Sequence, residues 1–79
     1  MMVSAREIAP GITVDPKVRF GKPIIKDTRV DVATILRHLS AGDTVEELME
    51  DYGLSRDQVL AAIGYAAEII ALEDVHSVD

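Results

Sequence analysis

The 79-residue chain contains no cysteine and no tryptophan, and Phe20, Tyr52 and Tyr65 are its only aromatic residues. Without cysteine, the chain has neither a disulfide framework nor a thiolate metal site. No apolar run approaches the roughly 20 residues that a membrane-spanning helix needs, and the N-terminus lacks the features of a signal peptide. These absences predict one small domain over residues 1–79, located in the cytoplasm and not in a membrane.

Patterns typical of catalysis and metal binding are also missing. The chain has no P-loop and no dinucleotide-binding fingerprint, and its serines lie in no nucleophile motif. His38 and His76 are the only histidines, and neither has the carboxylate spacing of a metal site. We interpret His38 as an exposed helix residue. The sequence therefore predicts no enzyme activity, no cofactor and no bound metal.

The charge that is present is unevenly distributed. The chain has a net charge of −6, yet residues 1–42 carry seven Lys/Arg against four Asp/Glu. Residues 43–79 carry ten Asp/Glu, and Arg56 is their only basic residue. This asymmetry indicates either separate tasks for the two halves or a solvated acidic face on the later helices.

Local signals predict a mainly α fold, in which a short N-terminal β-ribbon precedes three helices. "SAREIA" is interpreted as a helical turn or a frayed end, before the turn signal Pro10-Gly11. The β-branched "ITV" predicts a strand, and "PIIKDTRV" predicts two very short strands around a Lys26-Asp27 turn. The segments are an N-terminal arm (1–11), a β-ribbon (12–30), a three-helix unit (31–73) and a tail (74–79).

Capping residues locate the helices. Asp31 is a favourable N-cap, and an apolar stripe follows it at helical spacing. Thr44 and Ser55 each have Glu or Gln three residues later, which is the capping-box pattern. Gly42 and Gly53 are expected to adopt left-handed backbone conformations at helix ends. The third helix is predicted to run to about Leu72.

The second and third helices, joined by "GLS", have the proportions of a helix-turn-helix. Arg56 and Gln58, in the first turn of the third helix, are candidates to contact base edges. The acidic second helix would instead repel DNA phosphates. If DNA is bound, its affinity should depend on basic residues of the first half, with Arg19, Lys22 and Arg29 as candidates.

The third helix is apolar around much of its circumference, which is typical of a helix buried on more than one side. Ile69 and Ile70 lie far along it, where little of a small domain remains to bury both. We expect this helix, or the ribbon of residues 12–30, to contact a partner, and we expect a homodimer. The alternative is that its alanines serve only as good helix formers.

The stretch "FGKPIIKDTRVDV" places Lys22, Lys26 and Arg29 within eight positions. Turn residues between them favour a hairpin that presents positive charge to a partner. In the alternative interpretation, Arg29 forms a structural salt bridge with Asp15 or Asp31.

Three motifs, "ITVDP", "FGKP" followed by "TRV", and "LSAGDTVEELMEDYGLS", closely resemble the domain of unknown function 433 family, over about residues 12–70. The resemblance implies a homeodomain-like, winged-helix-related helical fold. It also implies a VapB-like antitoxin, encoded beside a toxin with a PIN-like nuclease domain. Asp27 stands where the family more often has Gly, and Asp31 where many members have Pro.

The leading hypothesis is therefore a non-enzymatic antitoxin that silences a PIN-like ribonuclease. Lys22, Lys26 or Arg29 would neutralise the toxin's carboxylate cluster, for which Arg is best suited because its planar fork pairs bidentately with carboxylates. Alternatively, the apolar third helix with Ile69 and Ile70 would dock in a groove of the toxin. The rival hypotheses are a DNA-binding autorepressor and a homo-oligomeric scaffold without a toxin.

Overall fold

The computed structural model describes residues 5–73, in which a three-stranded antiparallel sheet precedes three α-helices. The fold is therefore mixed α/β, and one of its three strands lies in residues 6–9, where the sequence predicts no strand. The strands are β1 (Arg6–Ala9), β2 (Ile12–Val14) and β3 (Ile24–Ile25), and the helices are α1 (Val32–Ser40), α2 (Val45–Tyr52) and α3 (Arg56–Leu72).

The first two strands form a hairpin, of which the sequence analysis predicted β2 correctly and missed β1. Residues 6–9 pair with β2 as a strand, where a helical turn or a frayed arm was expected. The register shifts between Glu7 and Ala9, as in a β-bulge, which adds one residue to a strand and bends it. Gly11 makes the turn with a φ of 75°, and its amide donates to the Glu7 carboxylate at 2.9 Å.

The hairpin predicted around Lys26-Asp27 is only partly formed. Ile24–Ile25 pairs with β2 and completes the sheet order β1-β2-β3. On the far side of the turn, a single bridge between Ile24 and Asp31 replaces the second predicted strand. Asp27 has a φ of 64°, so this Asp takes the left-handed conformation that Gly adopts without strain.

The predicted helix ends are confirmed. The Asp31 side chain accepts from the Thr34 amide and caps α1. Both capping boxes are present, at Thr44 before α2 and at Ser55 before α3. Gly42 and Gly53 have φ values of 102° and 66°, in the positive region that disfavours a residue with a Cβ.

The core lies where the sheet and the three helices meet. Ile12 and Ile25 of the sheet pack with Ile35, Leu48 and Val59, which come from α1, α2 and α3 respectively. Each of these side chains is almost fully buried. None of the helices within residues 5–73 is both long and apolar enough to cross a membrane.

His38 is not the simple exposed helix residue that the sequence analysis expected. Its Nδ1 lies 2.7 Å from a carboxylate oxygen of Asp43, and its Nε2 lies 2.8 Å from the Tyr52 hydroxyl. These contacts join α1 to the α1–α2 connection and to the end of α2. The sequence separation of 14 residues between His38 and Tyr52 explains why helix periodicity did not reveal the contact.

Candidate protein-binding surface

An open apolar groove, which we call the α1/α3 groove, runs between helices α1 and α3. Its volume is about 380 Å³. Apolar side chains from three parts of the chain form its walls. They include Pro23 beside the sheet, Val32 and Leu36 on α1, and Tyr65, Ile69 and Ile70 on α3.

The α1/α3 groove brings together three residues that the sequence analysis chose independently. Lys22 lines the groove together with Ile69 and Ile70. Ile70 is 63% exposed and Ile69 is 42% exposed, so the end of α3 keeps apolar side chains in contact with water. A groove with apolar walls and a cationic edge has the chemistry of a protein-docking surface.

Asp31, one of the residues that line the groove, is almost completely buried, and both oxygens of its carboxylate accept hydrogen bonds. One carboxylate oxygen accepts from the Thr34 amide at 2.7 Å, and the other accepts from the Arg19 guanidinium at 3.0 and 3.2 Å. Burial alone would raise the pKa of Asp31, but the hydrogen bonds from Thr34 and the charge of Arg19 outweigh it and hold that pKa below its ordinary value. The carboxylate is therefore ionised and neutralised within the chain.

This contact assigns a structural salt bridge to a different arginine from the one that the sequence analysis considered. Arg19, not Arg29, pairs with Asp31. Arg19 was proposed for nucleic-acid binding, yet its guanidinium is committed to this carboxylate. The pairing spans 12 residues and depends on the unusual backbone between Val18 and Lys22, which the sequence pattern did not reveal.

That backbone turns through three consecutive residues with positive φ. Arg19, Phe20 and Gly21 have φ values of 52°, 58° and 78°. Glycine adopts this conformation freely, whereas Arg and Phe do so at a cost of about 1–2 kcal/mol each. The side chain of Phe20 is 95% exposed. The sequence analysis did not select Phe20 as a candidate binding residue. That Phe20 is one of only three aromatic residues was the signal that could have drawn attention to it.

Lys26 lies on a different part of the molecule from Lys22. It lines a second depression, next to Asp57 and Gln58 in the first turn of α3. At about 1.5 Å per residue, the eleven residues from Gln58 to Ile69 separate the two sites by roughly 16 Å along the helix. Lys26 also forms an exposed salt bridge with Glu7 at 3.3 Å. The predicted basic residues therefore do not form one surface.

Arg29 is exposed in the turn that follows β3. Within residues 5–73, no carboxylate lies within salt-bridge distance of its guanidinium. The alternative interpretation, in which Arg29 forms a salt bridge with Asp15 or Asp31, is therefore wrong for the described part of the chain. Lys22 also has no carboxylate within salt-bridge distance in residues 5–73, so Arg29 differs from it in having a planar fork that can pair bidentately with a carboxylate.

The two residues proposed as base readers are engaged within the chain. Arg56 forms a salt bridge with Glu46 of α2 at 2.8 Å. The pKa of Glu46 is lowered mainly by a backbone hydrogen bond and further by this pairing with Arg56. The Gln58 side chain accepts from the Ser55 amide at 2.8 Å. Contact with bases would compete with both interactions.

Comparison with known proteins identifies the class of this domain. Residues 12–66 match the family model described as "Protein of unknown function (DUF433)". The match covers more than half of the chain, and the chain belongs to this family, as the sequence motifs predicted.

Two relatives from Mycobacterium tuberculosis are similar in sequence. One, named "Putative antitoxin VapB45", is 35% identical over 52 residues, which are 66% of this chain and 22% of the relative. The other, named "Uncharacterized protein Rv2308", is 38% identical over 56 residues, which are 71% of this chain and 24% of the relative. The crystal structure of Rv2018 from the same organism superposes with a TM-score of 0.60 at 35% identity, over 66% of this chain and 24% of that one. This chain therefore spans less than a quarter of the length of each of these relatives.

Proposed function

We propose that this protein is a cytoplasmic, non-enzymatic antitoxin that binds and neutralises a ribonuclease toxin of the PIN-like class. The relative named as an antitoxin supports the class of function. A PIN-type active site is a cluster of carboxylates that holds divalent metal ions. A protein that blocks such a site needs an exposed cation on a stable support.

The observation that carries this proposal is the position of Arg29. It lies on a turn fixed by two backbone hydrogen bonds, from Ile25 N–H to Val30 O at 2.9 Å and from Thr28 N–H to Ile25 O at 3.0 Å. The adjoining Ile25 is buried in the core. Arg29 therefore presents a guanidinium from a rigid support, with no carboxylate of residues 5–73 to compete for it.

The experiment is co-expression with the product of the reading frame beside this gene, scored by growth. Wild-type protein should rescue growth. Arg29→Ala should remain folded by circular dichroism yet fail to rescue, whereas Arg37→Ala, an exposed arginine in the last turn of α1, should rescue like the wild type. Rescue by a folded Arg29→Ala variant would contradict the assigned role of Arg29, and no rescue by the wild type would contradict toxin neutralisation itself.

Sequence-specific DNA binding by a homeodomain-like helix-turn-helix is the second candidate. It is favoured by the short connection Gly53–Ser55 between α2 and α3 and by the exposed Arg56 in the first turn of α3. The carboxylates of α2 oppose it, because phosphate neutralisation sets DNA affinity. A gel-shift series decides: if α3 reads DNA, Arg56→Ala should weaken binding more than Lys22→Glu or Arg29→Glu does.

A further inference from the structure

We propose that two copies of this chain form a homodimer by reciprocal insertion, in which Phe20 of each copy enters the α1/α3 groove of the other. The proposed dimer does not depend on toxin binding. It rests on the exposed aromatic side chain of Phe20 and on an apolar groove whose lining includes Lys22, two residues further along the chain.

The backbone around Phe20 is held in a costly conformation. Arg19 and Phe20 both have positive φ, and such strain persists only where the surrounding structure over-determines it. Here the Arg19 guanidinium is anchored to the buried Asp31, and the Lys22 amide donates to the Arg19 carbonyl at 3.1 Å. The turn therefore holds Phe20 in the solvent, where it packs against little of its own chain.

Phe20 is close in the chain to residues that line the groove. Lys22 and Asp31 both line the groove, and Phe20 lies two residues before Lys22 and directly after the arginine that binds Asp31. A projecting side chain close to a groove suits a two-fold contact, because the same contact can form twice: Phe20 of one copy enters the groove of the other, and the reverse. The volume of about 380 Å³ is ample for a phenyl ring.

Charge also favours this contact. Two chains that each carry a net charge of −6 repel one another, and the repulsion is smaller when the surfaces that meet hold no free carboxylate. The only carboxylate among the groove residues is Asp31, and Arg19 neutralises it. The end of α3 has no basic residue in its last turn and carries Glu73 as its C-cap, so it is electronegative. Lys22 of the second copy, which enters beside Phe20, complements this end.

The area involved sets the expected strength. An aromatic side chain buries about 150–250 Å², so two Phe20 side chains and the two groove walls that receive them account for roughly 600–1,000 Å². The exposed Ile70, which lines the groove, and the exposed Leu72, two residues further along α3, extend the contact towards the roughly 1,200 Å² at which specific interfaces begin. An interface of this size is at the low end of specific contacts, and we expect a weak dimer in the micromolar range.

Sedimentation velocity tests the proposed dimer at protein concentrations from about 5 µM to about 500 µM, a range chosen for a micromolar dissociation constant. The wild type should pass from monomer to dimer. Phe20→Ala, which removes an exposed side chain without touching the core, should raise the dissociation constant at least about ten-fold, as loss of an interface anchor does. Ala33→Glu, on the exposed groove wall, should do the same. Leu60→Ala, which removes an exposed apolar side chain of α3 outside the groove, is the matched control and should dimerise like the wild type.

An exchange of charges between Lys22 and Glu73 tests whether Lys22 of one copy lies against the end of α3 of the other. Lys22→Glu should weaken the dimer, and adding Glu73→Lys to it should restore most of the lost association. A wild type that stays monomeric at the highest concentration would overturn the proposal, and so would a Phe20→Ala variant that dimerises as well as the wild type. Failure of Glu73→Lys to restore association would overturn the assigned contact between Lys22 and α3.

Discussion

Replacement of Asp31 separates its two roles, as the cap of α1 and as the buried partner of Arg19. Asp31→Asn keeps an N-cap acceptor, since Asn caps helices as well as Asp does, but removes the negative charge. Asp31→Ala removes both. The side chain is only 2% exposed, so water cannot substitute for either partner.

The expected magnitudes follow from these contacts. Loss of an N-cap costs about 1 kcal/mol. The ion pair contributes about another 1 kcal/mol, less than a fully buried pair would, because the Arg19 side chain remains half exposed and is screened by solvent. In a domain of this size 1 kcal/mol lowers the melting temperature by roughly 4–8 °C. Asp31→Asn should therefore melt about 4–8 °C below the wild type, and Asp31→Ala about twice as far below it.

Thermal unfolding followed by circular dichroism at pH 7 and at pH 3 is the assay. The pKa of Asp31 is lowered in the folded protein, so its ionic contribution is fully present above the unfolded value of about 3.9 and is lost as the pH falls through the folded pKa. The difference in melting temperature between the wild type and Asp31→Asn should therefore be smaller at pH 3 than at pH 7.

Asp51→Asn is the matched control for the assay. It makes the same charge change at an exposed position of α2 and should leave the melting temperature nearly unchanged. Melting of Asp31→Ala within about 2 °C of the wild type, less than a single lost cap should cost, would refute the reasoning.

Three further substitutions test the local structure, each by chemical denaturation at neutral pH. Gly11→Ala should lose at least about 1 kcal/mol, because φ at this turn is 75° and the added Cβ would lie 3.2 Å from the Ala61 Cβ. Thr44→Ala should lose about 1 kcal/mol through the capping box. His38→Ala should lose roughly 1 kcal/mol by breaking the contacts to Asp43 and Tyr52, and unchanged stability would show that these contacts contribute nothing.

The helices were predictable because their signals are local. The N-cap at Asp31 and the two capping boxes depend on residues three positions apart, and the structure reproduces all three. β1 was missed because its strand exists only through pairing with β2, and "SAREIA" by itself carries no alternating pattern. Short strands owe their conformation to neighbours, which a linear sequence does not display.

The candidate surface was predictable only in part. Lys22, Ile69 and Ile70 were selected for their chemistry, yet their meeting in one groove depends on how α1 packs against α3. The pairing of Arg19 with Asp31 and the exposure of Phe20 depend on two consecutive left-handed residues that are not glycine. Residue type predicts the opposite conformation at both positions, so no propensity argument could have found them.

The most direct test of the proposed function is inhibition of the neighbouring gene's product in solution. That protein is purified alone, assayed for ribonuclease activity with divalent metal present, and titrated with wild-type chain, Arg29→Ala and Arg37→Ala. We predict that the wild type and Arg37→Ala abolish cleavage at a fixed stoichiometry, and that Arg29→Ala inhibits far more weakly. Ribonuclease activity that persists at a large excess of folded wild-type protein would contradict the proposed function.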